Sequence, residues 1–365
     1  MAKELKLMKG NEAIARAMIA SGTDGYFGYP ITPQSEVMET LMAERPWDPK
    51  GENYTGMVVL QAESELASIN MVYGGAATGK KVATSSSSPG ISLMAEGLTY
   101  LAGAEIPCVI MNAMRGGPGL GTIQPAQSDY FQSTKGGGHG DYQLYVMAPS
   151  SVQEMYDFVF DAWDIAFKYR NPVLILTDGA IGQCMEKCYT RDNVPRWTEE
   201  ERRAKAPWGT WGKPASRGHN IITSLELESS RQEVFNQKLQ AKYAEMKEKE
   251  VRYEALNCDD ADYVFVAYGT SARICMKSME LARAKGLKVG LLRPITLYPF
   301  PTKQIAELAN RVKGMLCVEM SAGQMIEDVK LAADCKIPIE HYGRFGGIIP
   351  TPEEVLEAME NKIIK

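Results

Sequence analysis

Short apolar runs without polar alternation recur along the first half of the chain, and each precedes or follows a stretch with helical spacing of small and apolar residues. Runs of this length, bounded by turn residues, predict buried strands. The predicted strands are residues 25–30, 57–61, 82–84, 108–112 and 172–177, and the predicted helices are residues 11–21, 35–43, 66–79, 91–103 and 151–169. Buried strands alternating with helices are typical of a parallel sheet covered on both faces, so we expect an α/β fold. The first helix is expected to begin with Asn11 as its N-cap and to end before Gly22.

The pattern changes near residue 190 and returns near residue 261. Residues 199–205 are dense in charge, residues 207–220 are rich in Gly, Pro and Trp, and residues 229–253 predict a long polar helix. Strand-like runs at 263–269, 288–294 and 315–319 then alternate with helical patterns at 272–285 and 302–312. We therefore predict a first domain at 1–190, a structured connector at 191–260, and a smaller α/β domain at 261–365.

Composition and charge exclude some partners. The chain has 365 residues and a net charge of -5, so nothing favours nucleic acid or an anionic membrane as a partner. Neither a secretory signal nor an apolar run of membrane-spanning length occurs, so we expect a cytoplasmic protein. The seven cysteines match no zinc or iron–sulfur spacing, so we expect reduced thiols and no metal ligands in this chain.

Four loops rich in Gly, Pro or Ser follow predicted strands of the first domain. Ligands bind outside the carboxyl ends of the strands in open α/β sheets, so these loops predict one site. Their sequences are YPITPQ at 29–34, QAESEL at 61–66, SSSSPG at 85–90 and RGGPGLG at 115–121.

Glu65 is the first candidate for chemistry because it opens a helix of small residues directly after a strand. A lone Glu in that place is more often a solvated carboxylate favoured by the helix dipole, as we expect for Glu63. The surrounding sequence changes this assessment. ELASINMVYG at 65–74 leads to GAATGKK at 75–81, then to a strand and to Ser88-Pro89-Gly90.

This frame resembles the pyrimidine-binding domain of thiamin diphosphate enzymes. In that group, a Glu precedes a small-residue helix and a Thr-Ser-Gly-Pro-Gly loop at the same spacing. The resemblance implies that Glu65, and not Glu63, hydrogen-bonds N1′ of the cofactor's pyrimidine. It also implies that Pro30, Ile31, Ser88, Pro89 and Gly90 contact the cofactor.

Longer motifs narrow the resemblance to the α-type subunit of 2-oxoacid:ferredoxin oxidoreductases, and specifically to the branched-chain (2-oxoisovalerate) type. They run in order through almost the whole chain, and the second domain resembles the transketolase C-terminal domain. The motifs are GYPITPQSE at 28–36, SPGISLMAE at 88–96, RGGPGLGT at 115–122, GGHGD at 137–141, AYGTSAR at 267–273, LRPITLYPFP at 292–301, VEMSAGQM at 318–325 and GRFGGIIPTPEE at 343–354.

The resemblance assigns substrate contacts to Thr32 and Arg115. An arginine suits a 2-oxo acid because it binds a carboxylate in bidentate fashion, and a threonine hydroxyl can donate to the ketone oxygen or the carboxylate. The alternatives are that Thr32 caps the next helix and that Arg115 is a surface cation. Against the latter, we expect few pairing partners for Arg115 among so many glycines.

Four further residues lie in these motifs, and the first of them has two interpretations. His139, in a Gly-rich loop, is either an acid–base group or a structural His. Glu319 is expected to organise a domain contact, and we hypothesise that Arg344 and Gly346 line a contact surface.

Two motifs depart from the family's pattern. Ser88 replaces the first Gly of Thr-Ser-Gly-Pro-Gly, and residues 117–121 read GPGLG where the family usually has Gly-Pro-Ser-Thr-Gly. Both loops stay small, but the second loses a hydroxyl that could contact the substrate.

Two motifs of complete enzymes are missing. No Gly-Asp-Gly start of a magnesium–diphosphate site occurs, since the nearest approach is Thr177-Asp178-Gly179, and no Cys-x-x-Cys-x-x-Cys occurs. The resemblance therefore implies a shared thiamin diphosphate, with Mg²⁺ on a β subunit and [4Fe-4S] clusters on γ-type and ferredoxin-like subunits or domains. The complete complex would convert a 2-oxo acid and CoA to acyl-CoA and CO₂ and reduce ferredoxin. The alternatives are a 2-oxoglutarate or pyruvate enzyme of the same family, or a non-catalytic regulatory α/β subunit.

Overall fold

The computed structural model describes residues 4–364, and its largest sheet has seven strands. The strands, numbered along the chain and given in their order across the sheet, are β12 (Thr296–Tyr298), β6 (Tyr145–Met147), β7 (Pro172–Asp178), β5 (Cys108–Met114), β4 (Val82–Ser86), β2 (Gly25–Gly28) and β3 (Val58–Gln61). All neighbours are parallel except β12, which pairs antiparallel with β6. The predicted parallel sheet is confirmed.

Helices cover both faces of this sheet because each presents an apolar side to it. One face carries α1 (Gly10–Ala20), α2 (Ser35–Glu44) and α6 (Val152–Tyr169), and the other carries α3 (Glu65–Ala76) and α4 (Ser88–Gly103). The short helices α5 (Tyr130–Thr134) and α7 (Gly179–Gln183) follow strand-end loops.

Two local predictions in the first half are wrong. Asn11 lies inside α1, not at its cap, and its buried side chain donates to the carbonyl of Pro33 at 2.8 Å. The strand predicted as buried at 57–61 is instead the edge strand β3, where Val58 is 51% exposed and Leu60 is 41% exposed. The side chains of Val58 and Leu60 therefore face away from the core, whereas Val59 between them packs against it.

The predicted connector is structured. The antiparallel pair β1 (Glu4–Lys9) and β8 (Met185–Thr190) precedes it, followed by α8 (Glu199–Lys205) and the long helix α9 (Ser229–Lys249). Helix α9 buries Leu239, Tyr243 and Met246 in the main core. It is also held by Lys238 and Lys242, which form ion pairs with the buried carboxylate of Glu105.

A second sheet follows the connector. Its strands, in order, are β14 (Ile339–Gly343), β13 (Gly314–Glu319), β10 (Tyr263–Val266), β11 (Val289–Pro294) and the antiparallel edge strand β9 (Tyr253–Leu256). Its helices are α10 (Gly269–Ala284), α11 (Thr302–Ala309), α12 (Met325–Ala332) and α13 (Pro352–Met359), which continues into a π-helical turn at Glu360–Ile364. The domain boundaries at 190 and 260 stay predictions.

Gln127 joins the two α/β units at the end of the first sheet that carries the loops. It is fully buried, its Nε2 donates to the carbonyl of Tyr268 at 2.8 Å, and its Oε1 accepts from the hydroxyl of Ser271 at 2.6 Å. The main-chain N–H of Met320 donates to the same Oε1 at 3.0 Å. Because these partners lie in α10 and directly after β10 and β13, the second unit has a fixed position beside the loops.

All seven cysteines are free thiols, and Cys335 is the exposed one. Within residues 4–364, no helix combines the length and the apolarity that crossing a membrane requires.

Candidate active site

The four Gly-, Pro- or Ser-rich loops follow β2, β3, β4 and β5, which are neighbours in the first sheet. These strands run parallel, so their carboxyl ends, and the loops, lie at one edge. The sequence prediction that the loops converge is confirmed. The peptide bonds Thr32–Pro33 and Gly117–Pro118 in two of these loops are cis.

Glu65 is the first residue of α3, and Ser64 before it caps the helix by accepting from the N–H of Ala67. Glu65 is 6% exposed, whereas Glu63 is exposed. No residue between 4 and 364 forms a hydrogen bond or an ion pair with the Glu65 carboxylate. A buried polar group without a partner is costly, although the N-terminus of α3 partly offsets the charge. The arrangement fits a carboxylate that is available to bind a ligand.

Gly90 lies directly against Glu65. A Cβ atom at Gly90 would overlap the hydroxyl oxygen of Ser86 and would lie 2.8 Å from Oε1 of Glu65. The hydroxyl oxygens of Ser86 and Ser87 are buried and have no hydrogen-bond partner in the described chain. The absence of a side chain at Gly90 therefore lets Glu65 and Ser86 pack directly against the main chain at the start of α4.

This contact predicts the effect of a methyl group at Gly90. Because the new Cβ has no space, Gly90→Ala should displace Glu65 and lower turnover of the assembled enzyme by about 100-fold, as a shift of about 1 Å can do. Turnover under saturating cofactor measures this loss.

Gly74→Ala is the matched control, since nothing lies within 4 Å of a Cβ at that helical position. It should leave turnover unchanged. Wild-type turnover of the Gly90→Ala enzyme would contradict the assigned contact.

A buried series of hydrogen bonds fixes the loop at 29–34. The hydroxyl groups of Tyr26 and Ser85 are 2.6 Å apart, Ser85 donates to Oε1 of Gln34 at 2.6 Å, and Nε2 of Gln34 donates to the carbonyl of Tyr29 at 3.1 Å. Burial raises the pKa of Tyr26 far above its ordinary value, so the phenol stays protonated. These hydrogen bonds connect β2 and β4 with the residues just before α2.

Thr32 is exposed, and its hydroxyl forms no bond with any described residue. Helix α2 begins at Ser35 without a side-chain cap, so the alternative in which Thr32 caps this helix is wrong. Pro30 and Ile31 beside it are half-buried. The Thr32 hydroxyl is therefore available to a ligand at this edge.

Arg115 follows β5 and is 6% exposed. Its Nη1 donates to the carbonyl of Thr32 and its Nη2 donates to the carbonyl of Leu120, both at 2.9 Å, while Nε has no partner. The expectation of few neighbours is wrong, because main-chain carbonyls hold the guanidinium. However, among residues 4–364 no carboxylate lies within ion-pair distance of Arg115, so its buried positive charge is not neutralised.

Ser88 and Pro89 form the first turn of α4, together with Gly90. The Ser88 hydroxyl donates to Oδ2 of Asp129 at 2.6 Å, and Nδ2 of Asn112 donates to the same oxygen at 2.9 Å. Sequence reasoning missed Asp129 because it lies in no Gly-rich motif.

A cleft of about 740 Å³ lies beside Arg115, between the first sheet and the second unit. Ser88, Asp129 and Arg115 line one side, and Met320, Gln324 and Phe345 line the other. Arg115 is the one basic residue among its described lining residues.

The second unit supports this cleft through Glu319 and the loop around Gly346. The fully buried carboxylate of Glu319 accepts from the N–H groups of Gln324, Met325 and Ile326 at the start of α12. Glu319 thus holds a helix end, and the domain contact expected of it is made by Gln324, which bonds the main chain of Ser128 and Phe131.

The loop at 343–349 lies against the loop that carries Arg115. A Cβ at Gly116 would lie 3.1 Å from the main chain of Gly346 and Gly347. Arg344 forms an ion pair with Glu354 at 2.6 Å. Gly346 therefore lies at a contact within the chain, whereas the contact surface proposed for Arg344 stays a hypothesis.

His139 lies apart from these residues. It is exposed and lines a different cavity of about 420 Å³, which lies between the loop at 136–141 and α9 and includes neither Glu65, Thr32 nor Arg115. Nothing in this arrangement gives His139 a role at the Glu65 edge.

Asp178, the residue nearest to a magnesium motif, is a buried structural group. Its Oδ1 accepts from the N–H groups of Ala180 and Ile181 at the start of α7 and from the hydroxyl of Thr270 at 2.8 Å. Across the described range 4–364, no cluster of His, Cys, Asp and Glu could hold a metal ion.

Comparisons with known proteins cover nearly the whole chain. Residues 16–253 match the family model described as pyruvate flavodoxin/ferredoxin oxidoreductase, thiamine diP-binding. Residues 261–355 match pyruvate:ferredoxin oxidoreductase core domain II.

Relatives in this group carry two different substrate names. The chain is 48% identical to the ketoisovalerate oxidoreductase subunit VorB of Methanothermobacter thermautotrophicus, over 96% of each chain. It is 33% identical to the 2-oxoglutarate synthase subunit KorA of Methanocaldococcus jannaschii, over 98% of this chain and 99% of that one.

Among solved structures, the chain is similar to the 2-oxoglutarate:ferredoxin oxidoreductase from Magnetococcus marinus, which was solved with 2-oxoglutarate, coenzyme A and succinyl-CoA bound. The TM-score is 0.83 at 25% identity, and the match covers 99% of this chain and 65% of that one. A split-gene transketolase with a TM-score of 0.59 and 13% identity shares the fold.

Proposed function

Because the chain belongs to the thiamine-diphosphate-binding pyruvate flavodoxin/ferredoxin oxidoreductase family, we propose that it is the subunit that binds the cofactor's pyrimidine and the substrate's carboxylate. The complete enzyme would be a heteromeric 2-oxoacid:ferredoxin oxidoreductase. One observation carries the proposal: a partnerless buried carboxylate, Glu65, and an unneutralised buried guanidinium, Arg115, lie at the same edge of one sheet.

The residues around Glu65 fit the pyrimidine of thiamin diphosphate. Glu65 would share a proton with the ring nitrogen N1′, and Gly90 would let the ring approach the main chain. Pro30, Ile31, Ser88 and Pro89 complete the proposed contacts. Bound thiamin diphosphate supplies an electron sink for the carbon that loses CO₂.

Arg115 and Thr32 would orient the 2-oxo acid. Arg115 is fixed by two main-chain carbonyls, has no ion-pair partner among the described residues and lines the cleft, so its positive charge is available to a substrate carboxylate there. The exposed Thr32 hydroxyl would donate to the ketone oxygen or to the carboxylate. Preorganised donors of this kind act most strongly where a partner subunit excludes water.

We propose a branched-chain 2-oxo acid as the substrate. The relatives named for ketoisovalerate are 47–48% identical to this chain, and those named for 2-oxoglutarate synthase are 33–34% identical. The cleft agrees, because its described lining holds no second basic residue for the distal carboxylate of 2-oxoglutarate.

We propose that a β subunit completes the site and carries Mg²⁺ and the diphosphate. Four exposed apolar residues lie on β3 and α3, next to Glu65: Val58, Leu60, Leu66 and Met71. An apolar edge strand and helix face of this kind mark a protein contact.

The remaining proposed components supply electron transfer and acyl transfer. Iron–sulfur clusters on γ-type and ferredoxin-like subunits or domains would pass electrons to ferredoxin, and CoA would take the acyl group. We propose a cytoplasmic location, which is supported by seven free thiols.

Co-expression with the partner subunits tests the function. The complex should reduce a viologen dye only with thiamin diphosphate, CoA and a 2-oxo acid, and kcat/KM should be highest for 3-methyl-2-oxobutanoate. A preference for 2-oxoglutarate or pyruvate would overturn the substrate assignment. If dye reduction does not depend on any 2-oxo acid, the result would favour the alternative of a non-catalytic regulatory subunit. The presence of Glu65, Thr32 and Arg115 together argues against that alternative.

A further inference from the structure

A closed ring of hydrogen bonds links Ser88, Asn112 and Asp129. The main-chain N–H of Ser88 donates to Oδ1 of Asn112 at 3.0 Å, and Nδ2 of Asn112 donates to Oδ2 of Asp129 at 2.9 Å. The Ser88 hydroxyl then donates to the same Asp129 oxygen at 2.6 Å. A second acceptor, the main-chain carbonyl of Arg115, lies 3.3 Å from the Ser88 oxygen, so the much shorter bond to Asp129 sets the orientation of the hydroxyl.

This orientation leaves the lone pairs of the Ser88 oxygen for Arg115. The hydroxyl has a single proton, and its shortest bond assigns that proton to Asp129. The main-chain N–H of Arg115 donates to Ser88 Oγ at 3.0 Å. The bond lies at the end of β5, where the chain leaves the sheet, so it sets the direction in which the Arg115 side chain starts.

The rest of Arg115 is held from the other end, by the carbonyls of Thr32 and Leu120. Those bonds fix the guanidinium, whereas the bond from Ser88 fixes the Cα end. The carboxyl group of Asp129 is half-buried; burial raises its pKa, and the hydrogen bonds from Ser88 and Asn112 act in the opposite direction because they favour the carboxylate. A hydrogen bond to a carboxylate is stronger than one between neutral groups. The Asp129–Ser88 bond is therefore the firmest link in the ring.

We infer that Ser88 and Asp129 are positioning residues for Arg115 and so set the affinity of the enzyme for the carboxylate of its 2-oxo acid. The inference rests on the proposed function of Arg115. It also gives a physical role to the position where this chain has Ser in place of the family's usual Gly, because a glycine has no hydroxyl to connect Asp129 with Arg115.

The test uses the assembled complex with Ser88→Ala and Asp129→Ala. Ser88 caps no helix, and alanine suits the first turn of α4, so folding should be preserved. The thiamin diphosphate is kept saturating, because Ser88 is also a proposed cofactor contact. Under that condition we expect KM for the 2-oxo acid to rise about threefold to tenfold, as the loss of one hydrogen bond would cause, with a smaller fall in kcat. The inhibition constant of isovalerate, a carboxylate that cannot react, should rise in parallel, while KM for CoA stays constant.

Three further variants separate positioning from general damage. Ser88→Thr keeps the hydroxyl and should restore KM to within about twofold of the wild-type value, because both bonds can re-form. Thr134→Val removes a buried hydroxyl that bonds the nearby carbonyl of Tyr130, and should leave the kinetic constants unchanged. Ser88→Ala should add little to Arg115→Lys, because both changes act on one unit.

Unchanged KM and isovalerate inhibition in Ser88→Ala and Asp129→Ala would overturn the inference, and so would an equal loss for the 2-oxo acid and CoA. If the Arg115→Lys complex is nevertheless impaired toward 2-oxo acids, the proposed function stands and the inference alone fails. If no 2-oxo acid supports dye reduction by the wild-type complex, the proposed function itself fails.

Discussion

Exchange of Glu65 for glutamine should lower 2-oxo-acid-dependent dye reduction by the assembled complex about 10²- to 10⁴-fold, the usual range for loss of an acid–base group. Glutamine has nearly the same shape and can occupy the space beside Gly90. It cannot, however, share a proton with a ring nitrogen as a carboxylate does. Initial rates at saturating thiamin diphosphate measure the effect.

Glu63→Gln is the matched control, since it removes an exposed carboxylate two residues earlier on the same loop. This variant should keep the wild-type rate. Cofactor content, measured after gel filtration, shows whether the Glu65→Gln complex still binds thiamin diphosphate. A rate of dye reduction by the Glu65→Gln complex within about threefold of the wild-type rate would show that Glu65 is not the catalytic carboxylate. Such a decrease is far smaller than the loss of an acid–base group causes.

Replacement of Arg115 by alanine should lower kcat/KM for the 2-oxo acid about 100- to 1000-fold. That range corresponds to the loss of about two charge-assisted hydrogen bonds. Alanine also frees the carbonyls of Thr32 and Leu120, which now bond the guanidinium. Kinetics with varied 2-oxo acid and fixed CoA measure the change.

Arg115→Lys separates charge from geometry. Lysine keeps the positive charge but lacks the planar fork that bonds two carbonyls and a carboxylate at once, so its kcat/KM should lie between those of wild type and Arg115→Ala. Arg191→Lys, at an arginine paired with Asp157 away from the loops, should behave as wild type. Equal kcat/KM for wild type and Arg115→Ala would exclude carboxylate binding by this residue.

The sequence predicted much of the fold and of the site because the informative features are local. Apolar runs without polar alternation, separated by stretches with helical spacing, predicted the parallel sheet. The choice of Glu65 over Glu63 came from the resemblance of residues 65–90 to the pyrimidine-binding domain of thiamin diphosphate enzymes, and the two residues differ in burial as that choice requires. Whether either residue acts in catalysis stays a prediction until variants are measured.

Features that depend on distant parts of the chain were missed. The residues at 57–61 have the composition of a buried strand, yet β3 lies at the edge of the sheet. The order of strands in a sheet cannot be predicted from the composition of one strand. β12 joins the first sheet from beyond the connector, next to β6. In the same way, the carbonyls that hold Arg115 have no side-chain signature, because any residue supplies a carbonyl.

Asp129 shows a related limit at the site itself. It lies 41 residues from Ser88, its hydrogen-bond partner, and no spacing rule connects an acidic residue before a short helix to a serine in a distant turn. Only the folded arrangement of β4, β5 and α5 brings the two together. The replacement of Gly by Ser at position 88 marked the site as unusual, but its hydrogen bond with Asp129 is visible only in the structure.

Deuterium exchange at the thiazolium C2 position tests the central claim most directly, because it reports on Glu65 without substrate, CoA or ferredoxin. The rate at which deuterium replaces this proton in thiamin diphosphate bound to the complex can be followed by acid quenching and proton NMR. We expect Glu65→Gln to slow the exchange by about 100-fold or more and Glu63→Gln to leave it unchanged. Equal exchange rates in the wild-type and Glu65→Gln complexes, at equal cofactor occupancy, would contradict the account.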